Sequence, residues 1–313
     1  MWYIVIGASL LIGLKVYNFL VGRHFLLDLF EEFRLSRLSL QECDLFCTRN
    51  EVKSDIIVSL TTIPSRLPYI QTTLKSLLVQ TRRPQLIRLH LPNYSDRERV
   101  EYNIPDYLKS LKCLEIIRCE DYGPATKLIP AVEDLAPEQK VLVVDDDMIY
   151  PRKMLDHFFE KSTKHQEVAI ASSGWLVPDD LVCHFVTLRM NIFQIPPMPF
   201  KLTRIKEATP IDILQGYSGY LVKPKFFRLG ELKDYEGAPE AARYVDDVWI
   251  SAHCLVPKVV FPGKRFCFHP RRLKSKFVST SLAQFNRGGG VAEKRNNTTM
   301  IRYFKDRWLG KFD

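Results

Sequence analysis

One stretch constrains this chain more than any other: VLVVDDDMIYP, residues 141–151. Four apolar residues read as a buried strand, and three aspartates stand at its end. Neighbouring carboxylates repel one another, and burial strips their hydration. Both effects raise their pKa and destabilise the fold unless something positive compensates. A bound cation is the simplest compensation, because ligands of open α/β sheets bind beyond the carboxyl ends of the strands. Hard oxygen donors there suit Mg²⁺ or Mn²⁺, which keep several waters and share coordination with substrate phosphates. The competing reading is a solvated acidic turn. The apolar Met148-Ile149-Tyr150-Pro151 that follows argues against it.

Such a strand needs a sheet. Residues 56–60, 86–91, 114–119, 167–173, 213–222 and 258–261 predict further strands, and 68–80, 127–135, 154–165 and 246–256 predict helices, with a last helix near 298–308. Strands alternating with helices predict an α/β fold with a mostly parallel sheet covered by helices on both faces. The 313 residues, 46% apolar, allow one large α/β domain or two smaller ones. The formal net charge of +9 favours anions, whether nucleotide phosphates or acidic lipid headgroups. Zinc-finger spacing and RNA-binding signatures are missing, so no nucleic-acid partner is expected. Seven cysteines without a CxxC argue against a disulfide framework and for a reducing compartment. Sequons at Asn93, Asn296 and Asn297 would matter only in a secretory lumen.

Residues 1–22 are largely apolar, with Lys15 as their one charged side chain, close to the roughly 20 residues that span a bilayer. A lysine can snorkel to the interface. Without a basic leader or an A-x-A-like cleavage site, a removed signal peptide is not expected. The expectation is a single-pass membrane anchor, the alternative an apolar helix packed on the domain. Lys15, Arg23, Arg34 and Arg37 place positive charge after the segment. The positive-inside rule then puts the following domain in the cytoplasm, whereas a Golgi signal anchor would put it in the lumen. Residues 23–54 are expected as a stem or linker, 55–270 as the regular α/β domain and 271–313 as a basic C-terminal loop and helix.

Taken in order, VSLTTIPSR (58–66), SLLVQT (76–81), EDYGPATKL (120–128), VVDDDMIYP (143–151), GYSGYLV (216–222) and YVDDVWI (244–250) resemble the glycosyltransferases of the GT-A fold, in the broad family-2-like group. The likeness spans about residues 55–270 and rests on the ordered set. It implies a nucleotide-binding sandwich that transfers a sugar from a nucleotide-sugar donor to a glycan or glycolipid acceptor. It also implies Mn²⁺ or Mg²⁺ bridging the donor diphosphate, and inversion at the sugar carbon.

Residue by residue, Asp145, Asp146 and Asp147 match the family's D-x-D metal motif. Asp147 would coordinate the metal, with Asp145 sharing it or facing the donor. Thr61, Thr62 and Arg66 fall where such enzymes hold the nucleotide. Asp121 and Lys127 match a donor-contacting loop, their plainer reading being a capped turn and a surface lysine. Asp247 would take the acceptor's proton, with Asp246 beside it on the acceptor; both could also simply favour the positive end of the following helix. His269 would complete the metal site. Arg271, Arg272 and Lys274 would neutralise the departing diphosphate, or form a basic surface near a membrane. Gly216 would let the backbone approach the sugar. Trp175 and Trp249 would stack on the acceptor or pack in the core.

The QxxRW box and the multiple spans of processive synthases are missing, which predicts one transfer per acceptor. Two other functions compete. A sugar-phosphate nucleotidyltransferase should carry a glycine-rich basic loop after the first strand, where TTIPSR stands. An inactive membrane-bound glycan-binding scaffold would not need both acidic motifs intact.

Overall fold

The computed structural model describes residues 2–282 and 285–308; the end of the predicted C-terminal segment, from 309, lies outside the described residues. Three helices open the chain: α1 (Trp2–Val21), α2 (Phe25–Ser36) and α3 (Leu40–Arg49). α1 turns apolar side chains outward, with Trp2, Tyr3, Leu10 and Leu11 all exposed. Among the described residues no single helix is long and apolar enough to cross a membrane. Val5–Val21 and Phe25–Ser36, bent by 77°, satisfy that length and composition together.

Where a stem was expected, α2 and α3 dock on the domain. Leu35, Leu40, Cys43 and Cys47 enter the main core. α3 starts at a reciprocal capping box, in which the Ser39 hydroxyl accepts from the Glu42 N–H at 3.1 Å and the Glu42 carboxylate accepts from the Ser39 N–H at 2.6 Å. The buried Asp44 carboxylate ties α3 down by accepting the backbone N–H groups of Lys112 and Cys113 at 3.0 and 2.9 Å.

The central sheet has eight strands: β1 (Ile56–Thr61), β2 (Leu86–Pro92), β3 (Leu114–Cys119), β4 (Lys140–Val143), β5 (Ala169–Ala171), β6 (Thr209–Ile211), β7 (Tyr220–Val222) and β8 (Lys258–Val260). Their spatial order is β6–β8–β5–β7–β4–β1–β2–β3. β4, β1, β2 and β3 run parallel, as do β5 and β8, while β7 lies antiparallel between β4 and β5 and β6 closes the edge antiparallel to β8. Ile56, Val58 and Leu60 on one face and Ile57 and Ser59 on the other are all buried, as a parallel strand covered on both faces requires. The further helices include α4 (Gln71–Leu78), α5 (Ile129–Asp134), α6 (Met154–Lys164), α7 (Leu188–Phe193), α8 (Asp246–His253) and α9 (Asn296–Tyr303). This is the expected α/β sandwich with a mostly parallel sheet.

Two predicted strands are broken in the structure. Residues 213–222 split into Ile213–Leu214, which pairs with Ser173–Trp175 in a small second sheet, and β7. Between them Gly219 adopts φ +88°, a conformation that glycine tolerates and side chains resist. Residues 167–173 break at Ser172, so β5 stays in the central sheet and Ser173 leaves it. The helix predicted over 246–256 ends at His253, four residues before Pro257.

Candidate functional site

β1 and β4 are parallel neighbours, with Ser59 facing Val143, so their carboxyl ends open side by side on one cleft of about 800 Å³. The Val144 N–H donates to the Ser59 carbonyl at 3.0 Å, carrying the pairing to the brink of the aspartates. The three carboxylates then diverge. Asp146 turns inward and accepts from Thr62 Oγ1 at 2.5 Å and Arg66 Nη1 at 2.9 Å. Its backbone carbonyl accepts from Thr73 Oγ1 at 2.7 Å. Asp145 meets Lys127 Nζ at 2.5 Å. Asp147 lies 3.5 Å from Arg66 and 4.0 Å from His269 Nδ1, which also sits 3.1 Å from the Asp147 carbonyl. Burial, helped by the Asp146 and Asp145 charges, raises the Asp147 carboxyl to about 7. Arg66 and Lys127 therefore supply part of the compensation the triple aspartate needs, from within the chain.

The second acidic motif shares that compensation. Lys127 is buried and reaches Asp246 at 2.8 Å as well as Asp145. Burial alone would lower its pKa, yet Asp145 and Asp246 overrule it and hold the ammonium well above the ordinary lysine value. Asp246 and Asp247 occupy the first turn of α8, where the helix dipole favours carboxylates, and Val245 is its N-cap. The Asp247 carboxylate accepts the Gly216 N–H at 2.9 Å. Burial, then the Asp246 charge, pushes Asp247 up to about 8 against the pull of Lys127.

Gly216 itself does not line the cleft; Gln215 does. A Cβ on residue 216 would stand 2.3 Å from Lys127 Nζ and 3.1 Å from Asp145 Oδ1. The glycine clears space for the buried lysine rather than for a sugar.

Of the predicted residues, Thr61, Thr62, Arg66, Asp121, Lys127 and both acidic groups line the cleft. Asp121 shapes its wall by accepting the Gly123 and Asp96 N–H groups at 2.7 and 2.8 Å. His269, Arg271, Arg272 and Lys274 lie outside the lining. The Arg271 N–H donates to Glu32 at 2.8 Å and its guanidinium stacks 4.4 Å over Phe25, so Arg271 docks on α2, while Arg272 and Lys274 are exposed. Trp175 lines the cleft, whereas Trp249 is buried, stacked 4.3 Å from Tyr235 and bonded to the Leu232 carbonyl at 3.0 Å.

Sequence reasoning missed several lining residues. Arg97, Arg99 and Tyr102 come from the loop after β2, and Tyr102 donates to the Thr62 carbonyl at 2.9 Å. Phe185, Arg243 and Arg295 come from three other segments, with Arg295 stacked 4.8 Å over Phe185. They sit in irregular segments, without a spacing that could have marked them.

Among the described residues no group of three or more His, Cys, Asp and Glu side chains converges to hold a metal ion. Asp147 offers its carboxylate and His269 its Nε2, because Nδ1 donates to the Asp147 carbonyl at 3.1 Å. Two protein donors suffice where substrate phosphates and water complete the shell, so the donor set fits a divalent ion carried with a diphosphate.

No protein-family profile matches the chain, and no curated protein sequence matches it. Among solved structures it is similar to GalNAc-T7 with UDP, GalNAc and Mn²⁺, at 13% identity over 68% of this chain and 42% of that one, TM-score 0.42. It is also similar to S. aureus TarS 1–349, at 15% identity over 80% and 71% of the two chains, TM-score 0.38. A third is the mannosyltransferase PcManGT from Pyrobaculum calidifontis in complex with GDP-Man and Mn²⁺, at 13% identity over 75% and 64%, TM-score 0.38. The chain spans less than half the length of the first of these and under two thirds of the third.

Proposed function

We propose that the chain is a metal-dependent, inverting glycosyltransferase of the GT-A kind, moving a sugar from a nucleotide-sugar donor to a hydroxyl of a glycan or glycolipid. One observation supports this best: a single buried ammonium, Lys127, holds Asp145 of the first acidic motif and Asp246 of the second. A donor-binding end and a candidate base therefore share one cleft. Asp147 and His269 would hold Mn²⁺ or Mg²⁺, and the ion would neutralise charge on the leaving diphosphate.

Asp247 is the base in this reading. A carboxyl raised to about 8 is well matched to taking a proton from a hydroxyl near neutral pH. The acceptor oxygen bonds to the anomeric carbon, the bond from that carbon to the diphosphate oxygen breaks, and the nucleoside diphosphate leaves with the electron pair. The hydroxyl proton ends on Asp247. Arg66, already paired with Asp146 and Asp147, is close enough to the first motif to meet the diphosphate's negative charge. Trp175 and Arg295, in the cleft wall, are candidates for acceptor contact. The outward apolar surface of α1 supports membrane association, with the domain on the cytoplasmic side by the positive-inside rule.

Incubating the full-length protein in detergent with Mn²⁺ and a panel of nucleotide sugars tests this. Release of a nucleoside diphosphate from one donor is expected, with the product's anomeric configuration read by NMR. Pyrophosphate release from a nucleoside triphosphate would replace this reading with a nucleotidyltransferase, and inertness toward every donor with a binding scaffold.

A further inference from the structure

The apolar outside of this protein is not confined to α1. α2 carries an exposed stripe of Leu26, Leu29, Phe30 and Phe33, three to four residues apart, opposite the face that buries Asp28 and Leu35. α7 buries none of its residues, and Leu188 and Phe193 are 64% and 70% exposed. Val186, Ile192 and Ile195 extend that surface. Scattered exposed apolar residues are ordinary, but contiguous ones mark an interaction surface.

The three helices are joined at one place. Lys201 Nζ donates to the Val21 carbonyl at 2.8 Å, and Thr203 Oγ1 to the Gly22 carbonyl at 2.7 Å, pinning the end of α1. Arg204 grips Asn191 of α7 at 2.5 and 2.8 Å while its guanidinium lies 4.6 Å over Phe19 of α1. α2 leaves the same junction, its Asp28 held by Arg23 and Arg265 at 3.6 and 3.3 Å. The other acids of α2 are also engaged, Glu31 by Arg34 and Glu32 by the Arg271 N–H. Arg37 and Arg189 add exposed positive charge.

We infer that α2 and α7 form, with α1, one docking surface for a lipid bilayer rich in anionic headgroups, and that the acceptor is carried on a lipid. The occupant follows from the combination: an apolar helix that faces outward, an amphipathic helix bent by 77° from it, and the exposed cations Arg37 at the end of α2 and Arg189 on α7. A helix of this kind buries its apolar face about 5–10 Å into the headgroup boundary. Phe185 lines the cleft and begins the exposed run that leads to α7, so one part of the cleft wall continues along the chain into that surface. The acceptor half of this inference rests on the transferase reading; the docking half does not.

Phe30→Cys, Phe193→Cys and Glu236→Cys chains, each with one added cysteine for labelling, test it in protein reconstituted with phosphatidylglycerol and phosphatidylcholine vesicles. Six of the seven native cysteines are buried, and the unsubstituted chain gives the labelling background. Lipids brominated on their acyl chains should quench a fluorophore at 30 and 193 and leave the one at 236, on an exposed loop, unchanged. Quenching at 30 alone would remove α7 from the membrane and overturn the inference. So would protection of 193 without quenching in a particle of doubled mass, which would make the occupant a second copy. For the acceptor, Leu188→Glu/Phe193→Glu should cut transfer of donor label into the lipid fraction of native membranes about tenfold or more. Equal transfer by that variant would overturn the lipid-carried acceptor. Donor hydrolysis on the same samples tests the transferase reading separately, and the variant should leave it unchanged.

Discussion

Lys127→Met removes the ammonium that joins the two acidic motifs while keeping a side chain of similar length. In the folded protein the lysine side chain is 5% exposed, against 31% for Asp145 and 12% for Asp246, with contacts of 2.5 and 2.8 Å. At an effective dielectric near 20, each contact is worth about 6 kcal/mol of Coulomb attraction. Desolvating the three ions cancels much of that gain. Removing one member of a buried pair typically costs about 3–5 kcal/mol, because the remaining charges lose their partner. Asp145 and Asp246 would then face each other and Asp247 uncompensated. For a domain of this size the loss should lower the melting temperature by about 5–8 °C. Thermal and urea unfolding in detergent measure it. The deficit should shrink at acid pH, where the freed carboxylates take up protons. A melting temperature unchanged within a degree or two at neutral pH would refute the reasoning, since the ammonium would then contribute nothing.

Gly216→Ala should displace Lys127, since the new Cβ would lie 2.3 Å from Nζ. About 1–3 kcal/mol of stability and most of the donor hydrolysis should be lost, and wild-type behaviour in both would contradict the packing argument. Asp247→Asn should abolish transfer and change the pH dependence of stability. The Asp247 pKa is raised from 3.8 to about 8 on folding. The stability linked to that proton is present below the unfolded value and lost as pH rises through about 8. Melting temperatures should therefore shift in the variant's favour between pH 5 and 9, and a parallel pair of curves would speak against the raised pKa. In wild type, donor transfer should climb toward a plateau above about pH 8. Trp249→Ala should cost about 3–5 kcal/mol, as expected for a core residue, and a stable variant with impaired acceptor use would return Trp249 to the acceptor site.

What could be read from the chain was whatever one segment states by itself. The apolar run of β1 and the aspartates after β4 need no distant partner to be recognised. α2 and α3 look like a linker because their charges interrupt the apolar pattern, although the Ser39–Glu42 capping box stands in plain view. Lys127 reads as a donor-contacting or a surface lysine until the turn that carries it is folded beneath two acidic motifs, one 18 residues away and the other on α8. Arg271 fails for the opposite reason. The family resemblance implies that it meets the diphosphate, and only the fold shows that Glu32, 239 residues distant, takes its N–H. Long-range pairs of this kind leave no periodic trace. Gly216 teaches the same lesson, since the atom that requires it to be glycine belongs to Lys127.

The central claim is that the first acidic motif receives a metal-bound nucleoside diphosphate and the second carries the base. Calorimetric titration of nucleoside diphosphates, with and without Mn²⁺, into wild type, Asp147→Asn and Asp247→Asn tests it most directly. Metal-dependent binding is predicted in wild type, lost in Asp147→Asn and kept in Asp247→Asn, whose turnover alone should vanish. Failure of every nucleoside diphosphate to bind wild type in the presence of Mn²⁺ would contradict the account.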